Sequence, residues 1–390
     1  MSEAITVDAL IVGGGIAGLW TLNRLQAAGY SALLLEAGQL GKGQTLASQG
    51  MIHGGLKYAL RGQLTGASEA IAKMPERWRA CLRGAADDVD LRGLQPLSER
   101  YYLFAQASTL GRLTTFFASK SLRGRIDKLS RDDYPEVFLH PEFNGVVYAL
   151  NDFVLDTEAL LAQLLANSAS SSYRFRVDAS ALQVEEDQVS LNVGKTQLRA
   201  RRLILAAGAG TEKLLTELGI SEPRMQRRPL HQVVVRHRHQ APMFAHCLTA
   251  VRRAEPRLTI TSHADGDHWL WYLGGQLATT GVDRQRDAQI AFARDELAAC
   301  VPWMDWQQAQ FDTLWIDRAE PAQEDGQRPD EAFVHAAGPV IVGWPTKLSL
   351  VPDLGDQMLT AMPPPAALAP TPSLDLPAAS VAQPPWQAQT

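Results

Sequence analysis

The sequence predicts an α/β protein: a Rossmann-like nucleotide domain on a parallel sheet, carrying an inserted α+β substrate domain on an antiparallel sheet. Three observations predict it. They are a glycine-rich turn directly after an apolar N-terminal strand, a second strand that stops at glycines near residue 208, and blocks of alternating strands between and after these junctions.

In chain order, Val7–Val12 is an apolar strand running into Gly13-Gly14-Gly15-Ile16-Ala17-Gly18, which satisfies G-x-G-x-x-G. Gly13 permits the tight turn, Gly15 lets a pyrophosphate approach the backbone, and Gly18 lets the next helix lie close on the strand. The helix amides and dipole then face the phosphates. The second strand, Ala32–Leu35, ends in Glu36, whose carboxylate suits ribose hydroxyls. This unit predicts a bound dinucleotide. Gly41–Gly55, rich in Gly, Ser and Thr, reads as an extended loop along a ligand, and Ser68–Arg83 as a helix. Residues 84–148 mix short strands (Tyr101–Phe104, Val146–Leu150) with a charged helix (Arg112–Lys128), the pattern of an inserted lobe.

Asp156–Ala166 carries acids in its first turn and apolar residues at helical spacing, so it returns the chain to the first domain. Arg174–Val177, Ala181–Val184, Val189–Val193 and Gln197–Arg199 alternate as short strands with polar turns. They lead to the buried strand that starts at Arg202 and stops at Gly208. Leu230–Val235, Leu258–Thr261, Trp269–Leu273 and Leu277–Val282 read as antiparallel strands, followed by the helix Asp287–Ala299. Phe333–Val342 reads as a hairpin about Gly338-Pro339, and Leu348–Met362 as a final helical region. The organisation expected is a nucleotide domain of residues 1–83, 150–222 and 315–362, and a substrate domain of residues 84–149 and 223–314. Residues 363–390, Pro/Ala-rich with hardly a charge, are expected to be a disordered tail.

The chain has 390 residues, 46% hydrophobic and 20% charged, with a formal net charge of -5. That composition is globular and gives no field for nucleic acid. Arginines at Arg224, Arg227, Arg228, Arg236 and Arg238 read as a solvated or substrate-side surface. Cys81, Cys247 and Cys300 lie far apart in sequence with no C-x-x-C, so neither a disulfide framework nor a metal site is indicated, and a reducing cytoplasm fits. The first strand begins too near Met1 for a signal peptide, and no apolar run approaches the roughly 20 residues that span a bilayer. At most peripheral membrane association is expected.

Four segments, GGGIAGLW at 13–20, SQGMIHGGLKY at 48–58, LILAAGAGT at 203–211 and the run from Asp317 to Asp356, resemble FAD-dependent oxidoreductases of the D-amino-acid-oxidase superfamily. The likeness is closest to the branch of glycerol-3-phosphate dehydrogenase and oxidase and L-2-hydroxyglutarate oxidase. It implies noncovalent FAD rather than NAD, in a domain of glutathione-reductase type. To the motif residues Gly13, Gly15, Gly18 and Glu36 it adds, as cofactor-binding, Ile16, Ala17, Ala37, Ser48, Gln49, Gly50, Met51, Val177, Ala207, Gly208, Gly343, Thr346, Lys347 and Leu348. By carry-over, His53 sits against substrate and flavin, in a loop similar to the family's I-H-G-G-L-R-Y. Removing a hydride from a carbon bearing OH or NH requires a base for the heteroatom proton, and histidine suits that task. Otherwise His53 is a structural histidine in a glycine-rich turn, with His231 and Lys57 the next candidates.

Arg318, in a run similar to the family strand whose arginine binds the substrate's anionic group, offers the two-pronged donor that a carboxylate or phosphate favours. The segment 324–331 is longer and more charged than the family pattern, which leaves the substrate open. Lys347, in a run similar to G-G-K-L-T-T, is expected to stabilise negative charge at the flavin pyrimidine, or else to lie in solvent. Trp303, Trp306 and Trp315 read as core rather than as the floor of the substrate pocket. The resemblance implies an enzyme that removes a hydride from a small anionic 2-hydroxy acid, glycerol 3-phosphate or amino acid and is reoxidised by quinone, oxygen or another acceptor. An FAD monooxygenase or halogenase, and a flavin-binding redox sensor without turnover, are the alternatives.

Overall fold

The computed structural model describes residues 3–55, 66–85, 88–106, 126–239, 241–248, 256–366 and 373–387. Its first sheet is built around Thr196–Leu205, paired in parallel along its length with Glu3–Val12, which in turn pairs with Ala32–Glu36 and that with Ser172–Arg174. The other edge of Thr196–Leu205 serves two neighbours. Val189–Val193 pairs antiparallel over its first half, and Val340–Trp344 pairs parallel at Leu203–Leu205. The two strand-to-glycine junctions therefore lie side by side, as Ala206 N donating to Val12 O at 2.9 Å shows. The segments expected as separate strands around Gln197–Arg199 and Arg202 are one strand of ten residues.

Helix Ile16–Ala27 packs under the sheet against the C-terminal helix Val351–Ala361. Trp20 is fully buried between them, its ring 4.7 Å from that of Trp78, and a Cβ on Gly355 would come within 2.9 Å of it. Burying an indole of roughly 200 Å² at ~25 cal/mol per Å² contributes about 5 kcal/mol. Arg77 ties the same region together from helix Gly66–Arg83, donating to both Asp88 and Asp356.

The second sheet has eight strands, in spatial order Gln310–Pro321, Met225–His237, His268–Gly274, Leu258–Asp265, Ala245–Cys247, Tyr101–Gln106, Gly145–Leu150 and Ile126–Lys128. One face packs on helix Arg286–Cys300 through Val233, Val235, Trp271 and Leu273. A three-stranded sheet of Met51–Ile52, Phe153–Leu155 and Pro96–Ser98 lies between the loop after residue 40 and the lobe.

Four expectations are corrected. Leu277–Val282 is not a strand: Gly275 adopts φ +78 and ends the preceding strand, and Gln276–Thr280 is a short helix with the Thr280 hydroxyl bonded back to Gln276 O. Residues 315–321 belong with the second sheet rather than the first domain, because Gln310–Pro321 pairs along its length with Met225–His237. The C-terminal residues 373–387 are not a disordered tail: Leu374, Ala379 and Ala382 are buried, and Leu40 and Tyr173 form bridges with Val381 and Ala378. The helix expected over Arg112–Lys128 ends in a strand, Ile126–Lys128; its earlier residues lie outside the described ones.

Trp303 and Trp306 are buried, as the core reading expected, whereas Trp315 is 51% exposed. Cys247 and Cys300, distant in sequence, meet in the core as free, hydrogen-bonded thiols. No helix among the described residues is long and apolar enough to cross a membrane, and no cluster among them offers three metal-ligating side chains.

Candidate active site

The glycine turn is fixed by its neighbours. Gly13 has φ +113, and a Cβ there would lie 2.5 Å from Ala206 O; a Cβ on Gly18 would lie 1.9 Å from Gly13 O. Those two glycines answer to the fold. Gly15 is different: its φ is ordinary, and a Cβ would meet only Thr45 Oγ1 at 3.3 Å. Ile16 and Ala17, buried, begin the helix, and the Ile16 amide donates to Thr45 Oγ1 at 3.1 Å. Glu36 accepts from Gly14 N at 2.6 Å and Gly38 N at 2.8 Å, one on each oxygen, which orients the carboxylate and leaves a lone pair on each for a further donor. Ala37 is exposed beside it, and half-buried Val177 follows Phe175, whose amide donates to Glu36 O.

The loop from residue 40 crosses from this turn to the second sheet. Gln49 Nε2 donates to Tyr272 O at 2.8 Å and Thr259 O at 3.1 Å, and Ser48 Oγ is buried without a partner. Gly50, with φ +67, sits where a Cβ would strike Leu155 O at 2.0 Å, and so leads tightly into half-buried Met51. His53 follows. Its amide donates to Ser349 Oγ at 2.8 Å and that of Gly54 to Asp152 Oδ1 at 2.9 Å, so the loop is held from both sides whatever the ring does.

At the opposite wall, Gly343 is buried against Met358, and Thr346 takes a left-handed φ of 58 with its hydroxyl donating to Glu331 O. Lys347 is buried rather than solvent-exposed, and its ammonium donates to Pro329 O at 2.9 Å and Asp330 O at 3.0 Å. Half-buried Leu348 opens the turn that carries Ser349. Arg318, half-buried, donates through Nε to Arg228 O at 3.1 Å. Ala207 and Gly208 are half-buried at the end of the second junction.

Sequence reading missed two groups. Arg328, inside the charged spacer, donates to Thr346 O at 2.9 Å and lies 4.0 Å from the fully buried Glu320 carboxylate. His246, on the second sheet, rests 4.6 Å from the Tyr101 ring with Nδ1 2.9 Å from Thr259 Oγ1. Both make themselves felt at His53. Burial, then the charges of Arg328, Lys347 and His246, push the His53 imidazole down to about 3, so it is neutral. Burial and Arg328 bring Lys347 down to about 7 against the pull of Asp330 and Glu320. The result is a neutral histidine near Arg328 and Lys347, each of which also faces a carboxylate, Glu320 and Asp330.

The family description "DAO: FAD dependent oxidoreductase" matches residues 8–360. The chain belongs to that family. It is 49% identical over 360 residues to the probable FAD-dependent oxidoreductase PA4991 of Pseudomonas aeruginosa, covering 92% of this chain and 91% of that one. The crystal structure of that protein superposes with a TM-score of 0.84, 42% identity and coverage of 100% of this chain and 99% of the other. The FAD-bound L-alpha-glycerophosphate oxidase of Mycoplasma pneumoniae (TM-score 0.66, 14% identity, coverage 95% and 99%) and the glycine oxidase of Geobacillus kaustophilus (0.61, 18%, 94% and 97%) share the fold. FAD is therefore the cofactor of this DAO-family oxidoreductase. The residues present fit it: a Cβ at Gly208 would meet nothing within 4 Å, one at Gly15 only a hydroxyl, and Ser48, in the loop that joins the glycine turn to His53, keeps a buried oxygen without a partner.

Proposed function

We propose that this oxidoreductase acts on a small organic anion, a 2-hydroxy acid, polyol phosphate or amino acid, by hydride removal from the carbon bearing oxygen or nitrogen. The observation that carries the reading is the His53 loop, pinned through its backbone by Ser349 and Asp152, with Arg328 and buried Lys347 held on the Thr346 turn that leads into Ser349. Bound FAD would supply the hydride acceptor, with quinone, oxygen or another acceptor taking the two electrons on. Gly15, in the turn that Gly13 and Gly18 shape, would take its pyrophosphate, Glu36 its ribose, and the Ser48–Met51 segment would line it. Arg328, with Arg318, attracts the anionic group of the substrate.

His53 takes the heteroatom proton. In the resting ring Nδ1 accepts from Gly55 N at 3.3 Å, so the proton sits on Nε2. The other tautomer forfeits only that long bond, a cost of about 1 kcal/mol or less, and leaves Nε2 free to accept. Burial is the larger cause of the depressed imidazole, and an anion beside Arg328 and Lys347 offsets the remainder, which their charges supply. The test is anaerobic mixing with hydroxy acids, amino acids and glycerol phosphate while flavin absorbance is followed. Bleaching by an anionic donor is expected; bleaching by NAD(P)H alone overturns the reading.

Two further outcomes follow from the cations. Arg328→Lys removes a charge-assisted bond of about 1.5–3 kcal/mol, so substrate KM rises roughly 10–150-fold with a smaller change in kcat. Lys347, with a pKa of about 7, is charged below that pH and neutral above it. Affinity for an anion, measured by titrating the flavin spectrum with acetate, therefore falls as pH rises through about 7, and Lys347→Met flattens that step. An unchanged pH profile in the variant means that Lys347 does not face the anion.

A further inference from the structure

We infer that residues 373–387 are a strap that retains FAD, positioning the Leu40–Gln49 segment over the glycine turn by gripping it at both ends. The inference rests on the reading that the glycine turn holds the cofactor. The inner grip is Val381 and Ala382. Leu40 forms a parallel bridge with Val381, its amide donating to Ser380 O at 2.8 Å and its carbonyl accepting from Ala382 N at 3.0 Å. Leu40 thus spends both backbone groups on the strap, and its side chain lies over Gly14, where a Cβ would come within 2.3 Å of it. The next residue, Gly41, donates to Gly14 O at 2.9 Å. Any displacement of the strap reaches the phosphate turn through one residue.

The outer grip is Trp386, whose ring lies 4.7 Å from His263 and 5.4 Å from Tyr272. Tyr272 in turn donates to Ala47 O at 2.6 Å and accepts from Gln49 Nε2 at its carbonyl. Between the grips the segment has turns only, and Thr45 Oγ1 accepts from the first helix amide at Ile16. A turn-only segment has few internal bonds to keep it closed, so its position is set from outside. The strap itself is anchored independently, by Ala379 N to Ser172 O at 3.0 Å and Arg174 N to Pro377 O at 2.8 Å on the edge of the first sheet. Pro377, Pro384 and Pro385 restrict its backbone before it docks, which lowers the entropy lost on docking.

The segment is bonded to the glycine turn at Gly14 and at Ile16, so loosening either grip would ease release of FAD held there. The experiment uses full-length Trp386→Ala, Trp386→Phe and Ala382→Pro, the last deleting the amide that Leu40 O accepts. Apoprotein is titrated with FAD by flavin fluorescence, release is timed after dilution, and melting temperatures are taken with and without FAD. Trp386→Ala and Ala382→Pro are expected to raise the FAD Kd about 10–100-fold and speed release, Trp386→Phe to restore both, and the FAD-induced rise in Tm to shrink while the apo Tm holds. An unchanged Kd, or an apo Tm that falls as far as the holo Tm, overturns the strap. If Ala382→Pro does not fold, the two Trp386 variants decide alone. Gly15→Val separates the readings: FAD retained there defeats the assignment of the glycine turn, whatever the strap variants do.

Discussion

Gly15→Val is expected to abolish FAD binding and still give a folded protein. The backbone at Gly15 is in an ordinary extended conformation, and a side chain there displaces one hydroxyl, that of Thr45, rather than backbone. On the proposed reading, valine fills the space the pyrophosphate needs. The variant should purify colourless, with circular dichroism of the apoprotein retained. Gly18→Ala makes the contrast, since its Cβ would meet Gly13 O at 1.9 Å and so damages the turn itself. Stoichiometric FAD in Gly15→Val shows the glycine turn to be structural.

His53→Ala is expected to keep the flavin and slow its reduction by substrate roughly 10²–10⁴-fold, the range general base catalysis supplies. Retention of the cofactor follows from the loop's anchors, which are backbone amides of residues 53 and 54 donating to Ser349 and Asp152. Stopped-flow reduction under nitrogen separates binding from chemistry. Reduction at the wild-type rate moves the base elsewhere. His246, which interacts electrostatically with His53, is then the first alternative, ahead of His231, which does not, and of Lys57, which lies outside the described residues.

The glycine turn was readable because its geometry depends on a strand, a turn and a helix that are contiguous in the chain. Glu36 and the strand into Gly208 were readable for the same reason. Arg328 was not: what places it are Glu320 before it and Thr346 after it, brought together only when Val340–Trp344 joins the sheet. Leu277–Val282 reads as a strand by its β-branched Thr279, Thr280 and Val282, and the left-handed backbone at Gly275 turns the chain out of the sheet before it. The C-terminal segment misled for a different reason. Prolines forbid a central strand and a helix, but not an extended segment that makes isolated bonds to the edge of a sheet.

The parallel sheet also has a history in synthesis. Its neighbours Glu3–Val12 and Thr196–Leu205 are separated by nearly half the chain, and Val340–Trp344 arrives later still. At about 5–20 residues per second, the N-terminal strand waits roughly 10–40 s with an apolar edge unpaired before its partner leaves the ribosome. An unpaired apolar edge is a template for pairing with other chains. Nascent chains, far more than the finished enzyme, are therefore where this topology invites aggregation, and recovery of soluble protein should depend on translation rate and chaperone supply more than on the stability of the folded state.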